Sequence, residues 1–199
     1  MKFINYSFNV RELARIISDI RGYLILIIPI FILFNYFVTD GNNFLELTLL
    51  CLIFTAFIPF TAILMWIKSK NLDLDISNKN ERVFPLTIGI ISSFIGVIVL
   101  FIVNAPDIIT VLMFCYLTTI LLILFITYFW KISIHAMGVA GITVVITYFF
   151  GYLGLLCGVP LILVMWSRVY LQKHTPAQVV VGAATSLILT WTQFTIFLS

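Results

Sequence analysis

The stretch 166–178 holds Arg168, Lys173 and His174 within seven positions, between two apolar runs, and leads through Pro176 to Gln178. A guanidinium can fork onto two phosphoryl oxygens, and an imidazole can attack phosphorus or move a proton near neutral pH. Those side chains together suit chemistry on a phosphorylated compound at a membrane boundary. The plainer reading is that Arg168 and Lys173 anchor a helix among lipid headgroups. Partners elsewhere in the chain decide between the two. His135, the other of the chain's 2 histidines, follows Lys131 and Ser133 at a second polar junction, and a third polar segment, 68–84, contains Lys79 and Arg82.

Something must carry these three segments to one place, and the composition says what it is. Of the 199 residues 62% are hydrophobic and 10% charged, and the mean hydropathy is +1.18. A soluble core cannot hide that much apolar surface, so the chain reads as one integral membrane domain with no stretch left for a separate soluble one. The net charge of +3 is carried by few basic residues, all tied to membrane-flanking segments. Anionic lipid, not nucleic acid, is therefore the expected partner. Cys51, Cys115 and Cys157 lie far apart inside apolar runs and read as packing residues. No spaced Cys/His cluster offers a metal site, and no cofactor is expected.

The apolar runs fall at 23–38, 46–67, 85–103, 108–130, 135–150, 153–171 and 176–198. They predict an all-α, polytopic bundle of six to seven helices. The pair 135–150 and 153–171 is short and tightly linked, so it is expected to tilt or to be partly re-entrant. Before the first run, residues 9–21 place Val10, Leu13, Ile16, Ile17 and Ile20 on one face, with Asn9 and Glu12 spaced as a capping box. That is an amphipathic helix lying in the interface. Gly138, Gly141, Gly182, Ala183 and Ala184 are small enough to let helix backbones approach closely. With seven crossings, all 11 Lys and Arg residues fall on one side, and only Asp40, Glu46 and Asp107 fall on the other. By the positive-inside rule the basic side, with both histidines, faces the cytoplasm of a cell membrane.

Three polar segments in this order resemble the type 2 phosphatidic acid phosphatase superfamily, over roughly residues 68–190. The family carries Lys with Arg-Pro seven residues on, then Pro-Ser-Gly-His, then Ser-Arg, five residues, His, three residues and Asp. Here Ser167 and Arg168 are followed after five residues by His174, and Ser133 and His135 fit the second segment with Ile132 and Ile134 for Pro and Gly. The first segment is degenerate. Arg82 and Pro85 are not adjacent, Asp75 stands seven before Arg82, and Lys79 is the candidate substitute for the missing lysine. Gln178 occupies the position of the family's Asp. It can accept a hydrogen bond from the imidazole but brings no charge.

The resemblance implies a metal-independent phosphatase acting on a lipid phosphate or isoprenoid diphosphate. Arg168, Arg82 and Lys79 would clamp the phosphoryl oxygens with Ser133, and His174, oriented by Gln178, would attack phosphorus to give a phosphohistidine. His135 would protonate the leaving oxygen. The alternative, favoured by the neutral Gln178, is a non-catalytic lipid-phosphate binder or a transport-related membrane protein.

Overall fold

In the computed structural model the described residues are 9–18, 20–39, 41, 43–72, 76 and 78–198, the side chains of 20–26 excepted. Asp40, Asp75 and the side chains of Ile20 and Arg21 lie outside that set. Among the described residues the chain is helical, with no strand.

Helix α1 (Val10–Ser18) starts where Asn9 predicts it. The Asn9 side-chain oxygen accepts the Arg11 N–H at 3.0 Å, and its carbonyl accepts the Glu12 N–H at 2.9 Å, satisfying donors that a helix start leaves open. The face that α1 turns to the protein carries Ala14 and Ser18, both buried, and Ile17, which packs on the core, while Ile16 is 72% exposed. That face packs against α8 (Gly158–Tyr170). Helix α2 (Ile20–Val38) begins three residues before the apolar run that foretells it.

The second run is one continuous helical stretch, Phe44–Lys70, made of α3 (Phe44–Leu52), a π turn (Ile53–Phe57) and α4 (Ile58–Lys70). Pro59 accounts for the widened turn. It has no N–H, so the carbonyls that residue 59 would serve in α or π register, those of Thr55 and Phe54, lack their backbone donor. Both are met from other helices: the Tyr116 hydroxyl donates to the Thr55 carbonyl at 2.9 Å and the Ser92 hydroxyl to the Phe54 carbonyl at 2.8 Å. In a chain surrounded by hydrocarbon, carbonyls without donors cost several kcal/mol each, so these bonds hold the turn in place.

A 3-10 turn (Lys79–Arg82) leads into α5 (Val83–Ile102), and α6 (Asp107–Phe129) packs back along it. Gly96 of α5 lies so close to the π turn that an added Cβ would stand 2.9 Å from the Phe54 Cβ. Next come α7 (Ile134–Phe150), a 3-10 segment (Gly151–Cys157) and α8. The chain doubles back at that segment: α8 packs on α7, Thr143 donates to the Cys157 carbonyl at 3.2 Å, and the two outer ends of the pair meet at one cavity.

Helix α9 (Pro176–Leu198) lies against α7. Gly182 and Gly141 act there as expected, whereas Ala184 is exposed. A Cβ on Gly182 would meet Ile132, Met137 and the Ser133 carbonyl at 3.3 Å, and one on Gly141 would meet the Ser186 hydroxyl at 3.3 Å. Gln193 donates to Thr118 at 2.7 Å, tying α9 to α6. Among the described residues five continuous stretches are long and apolar enough to cross a membrane, Ile134–Tyr170 counting as one of them, and α2 adds the shorter apolar helix Ile27–Val38. Large apolar side chains such as Phe101, Phe125 and Ile188 face outward, as a membrane protein requires.

Candidate functional site

The α8–α9 connection explains why Arg168 and His174 are six residues apart. Helix α8 ends in a Schellman motif: the Lys173 N–H bonds the Arg168 carbonyl at 3.0 Å, the Gln172 N–H bonds the Val169 carbonyl at 2.9 Å, and Gln172 takes φ +56°. The His174 N–H also reaches the Arg168 carbonyl, at 3.2 Å. Helix α9 begins immediately with a reciprocal capping box. The Thr175 hydroxyl accepts the Gln178 N–H at 3.3 Å, and the Gln178 side-chain oxygen accepts the Thr175 N–H at 3.2 Å. A helix stop and a helix start, placed back to back, set the imidazole beside the guanidinium.

The same box decides the state of His174. A backbone N–H can only donate, so the Gln178 atom it meets is the carbonyl oxygen. That oxygen lies 3.1 Å from His174 Nδ1, so Nδ1 must carry a proton in order to bond it. The neutral ring then keeps its lone pair on Nε2.

Arg168 is 1% exposed, and its Nη1 donates to the Ser18 hydroxyl at 2.6 Å and to the Ser18 carbonyl at 3.4 Å. Arg82, 5% exposed, stands at the start of α5, and its Nε donates to the Ile76 carbonyl at 2.8 Å and its Nη1 to the Ile132 carbonyl at 3.4 Å. Lys131 Nζ donates to the Lys173 carbonyl at 3.0 Å, joining the α6–α7 junction to the α8–α9 connection. Arg82, His135, Arg168 and His174 all line one cavity of about 140 Å³ whose remaining walls are largely apolar, among them Pro59, Leu86, Ile120 and Ile123.

Burial first, and then the charges of Arg168, Arg82 and Lys131, push the His174 pKa down to about 3, while the Gln178 bond acts in the opposite sense. Adding a proton would put another positive charge among three cations away from water. The imidazole therefore stays neutral, with Nε2 available, in a field that attracts anions.

Of the residues named from the sequence, the structure brings His174, His135, Arg168 and Arg82 to this cavity, and sets Gln178 against Nδ1 of the His174 ring. Two others are placed elsewhere. Lys79 Nζ donates to the Tyr128 carbonyl at 2.9 Å and does not line the cavity. Ser133 is fully buried at the start of α7, where its hydroxyl accepts the Ala136 N–H at 3.4 Å. It supports the helix that begins beside His135.

Two residues join the site without having been singled out. Ser18, 150 positions from its partner Arg168, has no local signal that would find it. Thr175 does have one, since Thr followed three residues on by Gln is the spacing of a capping box. Lys131 holds the Lys173 carbonyl, and its charge also acts on His174. No family model, curated protein or solved structure matches this chain.

Proposed function

We propose that this chain is a membrane-embedded phosphatase that hydrolyses a lipid phosphate or polyprenyl diphosphate through a phosphohistidine. The observation that carries the reading is the convergence of Arg82, His135, Arg168 and His174, from three separate segments, on one largely apolar cavity. It is the juxtaposition that membership of the type 2 phosphatidic acid phosphatase superfamily requires. His174 Nε2 attacks phosphorus in line, the bond to the leaving oxygen breaks, and His135 gives that oxygen its proton. His135 then takes a proton from water as the water attacks the phosphohistidine. The P–N bond breaks, phosphate leaves, and His174 is neutral again. Arg168 and Arg82 face the charge that spreads over the phosphoryl oxygens. The site opens, in this reading, on the cytoplasmic side of the cell membrane, where Lys and Arg residues gather.

Phosphate release from phosphatidate and from farnesyl diphosphate by the purified protein tests it, with His174→Ala as the comparison. Turnover that the alanine variant abolishes supports the hydrolase. Gln178 favours a second reading, a lipid-phosphate binder, because its amide offers the imidazolium no charge. Vanadate binding that needs Arg168, without turnover of either substrate, would establish that reading instead.

A further inference from the structure

The charged cavity shares part of its wall with a neighbour. A second apolar cavity of about 70 Å³ adjoins it, and Tyr116, Thr119 and Gly138 line both. The second chamber lies between α2, α6, α7 and α9 and is walled by residues that include Phe31, Leu112 and Thr190. Along α6 the walls run from Ile123 in the first chamber to Leu112 in the second, roughly 16 Å of helix at 1.5 Å per residue. Tyr116, at the waist, is held by its hydroxyl on the Thr55 carbonyl, one of the two that Pro59 leaves without a backbone donor. Apolar cavities in a tightly packed interior stay dry and take up apolar guests.

We infer that the two chambers hold the single hydrocarbon chain of the phosphorylated substrate inside the bundle, and that the waist at Tyr116, Thr119 and Gly138 makes the site selective for chain length. This rests on the phosphoryl site proposed above. The phosphate sits among Arg82, Arg168 and His174, and the chain runs inward past Thr119 toward Leu112. The inner chamber has about half the volume of the outer, so it admits the end of one chain and excludes the paired chains of a diacyl lipid. Single-chain prenyl phosphates are the chemical class that fits.

The test is the chain-length profile of kcat/KM over dimethylallyl, geranyl, farnesyl and geranylgeranyl diphosphates, with para-nitrophenyl phosphate as a substrate that has no chain. Thr119→Phe fills the waist. It is expected to cut kcat/KM for the longer members about tenfold or more relative to para-nitrophenyl phosphate, since each methylene withdrawn from an apolar wall changes affinity roughly fourfold. Leu112→Ala, which deepens the inner chamber, is expected to move the optimum to a longer chain, and it carries the test if Thr119→Phe does not fold. A uniform loss at every length in Thr119→Phe, together with an unmoved optimum in Leu112→Ala, overturns the inference.

Absence of any turnover by the unmodified protein refutes the hydrolase alone. A prenyl phosphate with a diazirine at the chain end then reads the same question. Crosslinks to Phe31, Leu112 or Thr190 support the buried chain, and crosslinks confined to outward-facing residues such as Ile98 and Phe125 overturn it.

Discussion

Replacing Gln178 by Leu keeps the bulk of the side chain and removes the oxygen on which the state of His174 depends. Two donors lose their acceptor. The Thr175 N–H is exposed and turns to water at little cost, whereas the His174 Nδ1–H bond is partly buried. An unsatisfied buried donor costs about 1–3 kcal/mol. The ring can escape that cost by moving its proton to Nε2, which removes the lone pair from the attacking atom. Either way, kcat/KM for the proposed hydrolysis falls by roughly 5- to 150-fold. That is less than the loss of about 10⁴ seen when a charged orienting group is neutralised, because no charge is lost here. The assay is phosphate release by the purified protein, with ¹⁵N NMR of the histidine ring to read the tautomer. Unchanged kcat/KM and an unchanged Nδ1–H tautomer in folded Gln178→Leu would refute the argument.

Gln178→Glu sharpens the same point through pH. The His174 pKa is lowered from 6.5 to about 3, so the folded protein keeps the ring neutral while the unfolded chain takes up a proton below 6.5. Stability is therefore complete above that value and is lost as pH falls toward 3. A carboxylate in place of the amide raises the folded pKa. It should move the acid limb of the kcat/KM profile upward and reduce the loss of stability in acid, measured by denaturation in detergent at stepped pH.

Three further outcomes follow from named contacts. Ser18→Ala removes the 2.6 Å bond to Arg168, and hydrogen bonds to charged groups contribute about 1.5–3 kcal/mol. KM should rise about tenfold or more, with Ser18→Thr restoring much of the loss. Gln172→Gly relieves the left-handed backbone at φ +56° and should stabilise the fold by about 1 kcal/mol, read as a rise of about 2–4 °C in Tm. Gly96→Ala sets a Cβ 2.9 Å from the Phe54 Cβ, on a backbone that the π turn holds, and should destabilise by about 1–3 kcal/mol.

Much of the architecture is legible in the sequence because it depends on local or additive quantities. A composition that is 62% hydrophobic has to be surrounded by lipid, whatever its topology. Apolar runs of helical length become helices because a backbone in hydrocarbon must satisfy its own hydrogen bonds. Asn9 starts α1, and Gly182 seats α9 on α7, for reasons each residue carries by itself. The Arg168–His174 spacing is likewise local, since a Schellman stop and a capping box both act within a few residues.

Only the tertiary structure decides where long side chains end. Lys79 reaches the Tyr128 carbonyl, Arg168 takes the Ser18 hydroxyl, and the hydroxyls of Ser92 and Tyr116 answer the carbonyls left by Pro59. Each of these contacts joins segments far apart in the chain, so each depends on how the helices are stacked and turned. That stacking is set by the summed packing of every face, and no single stretch of residues encodes it. The cavity that gathers two arginines and two histidines belongs to this second kind. The chain supplies the groups, and the bundle brings them together.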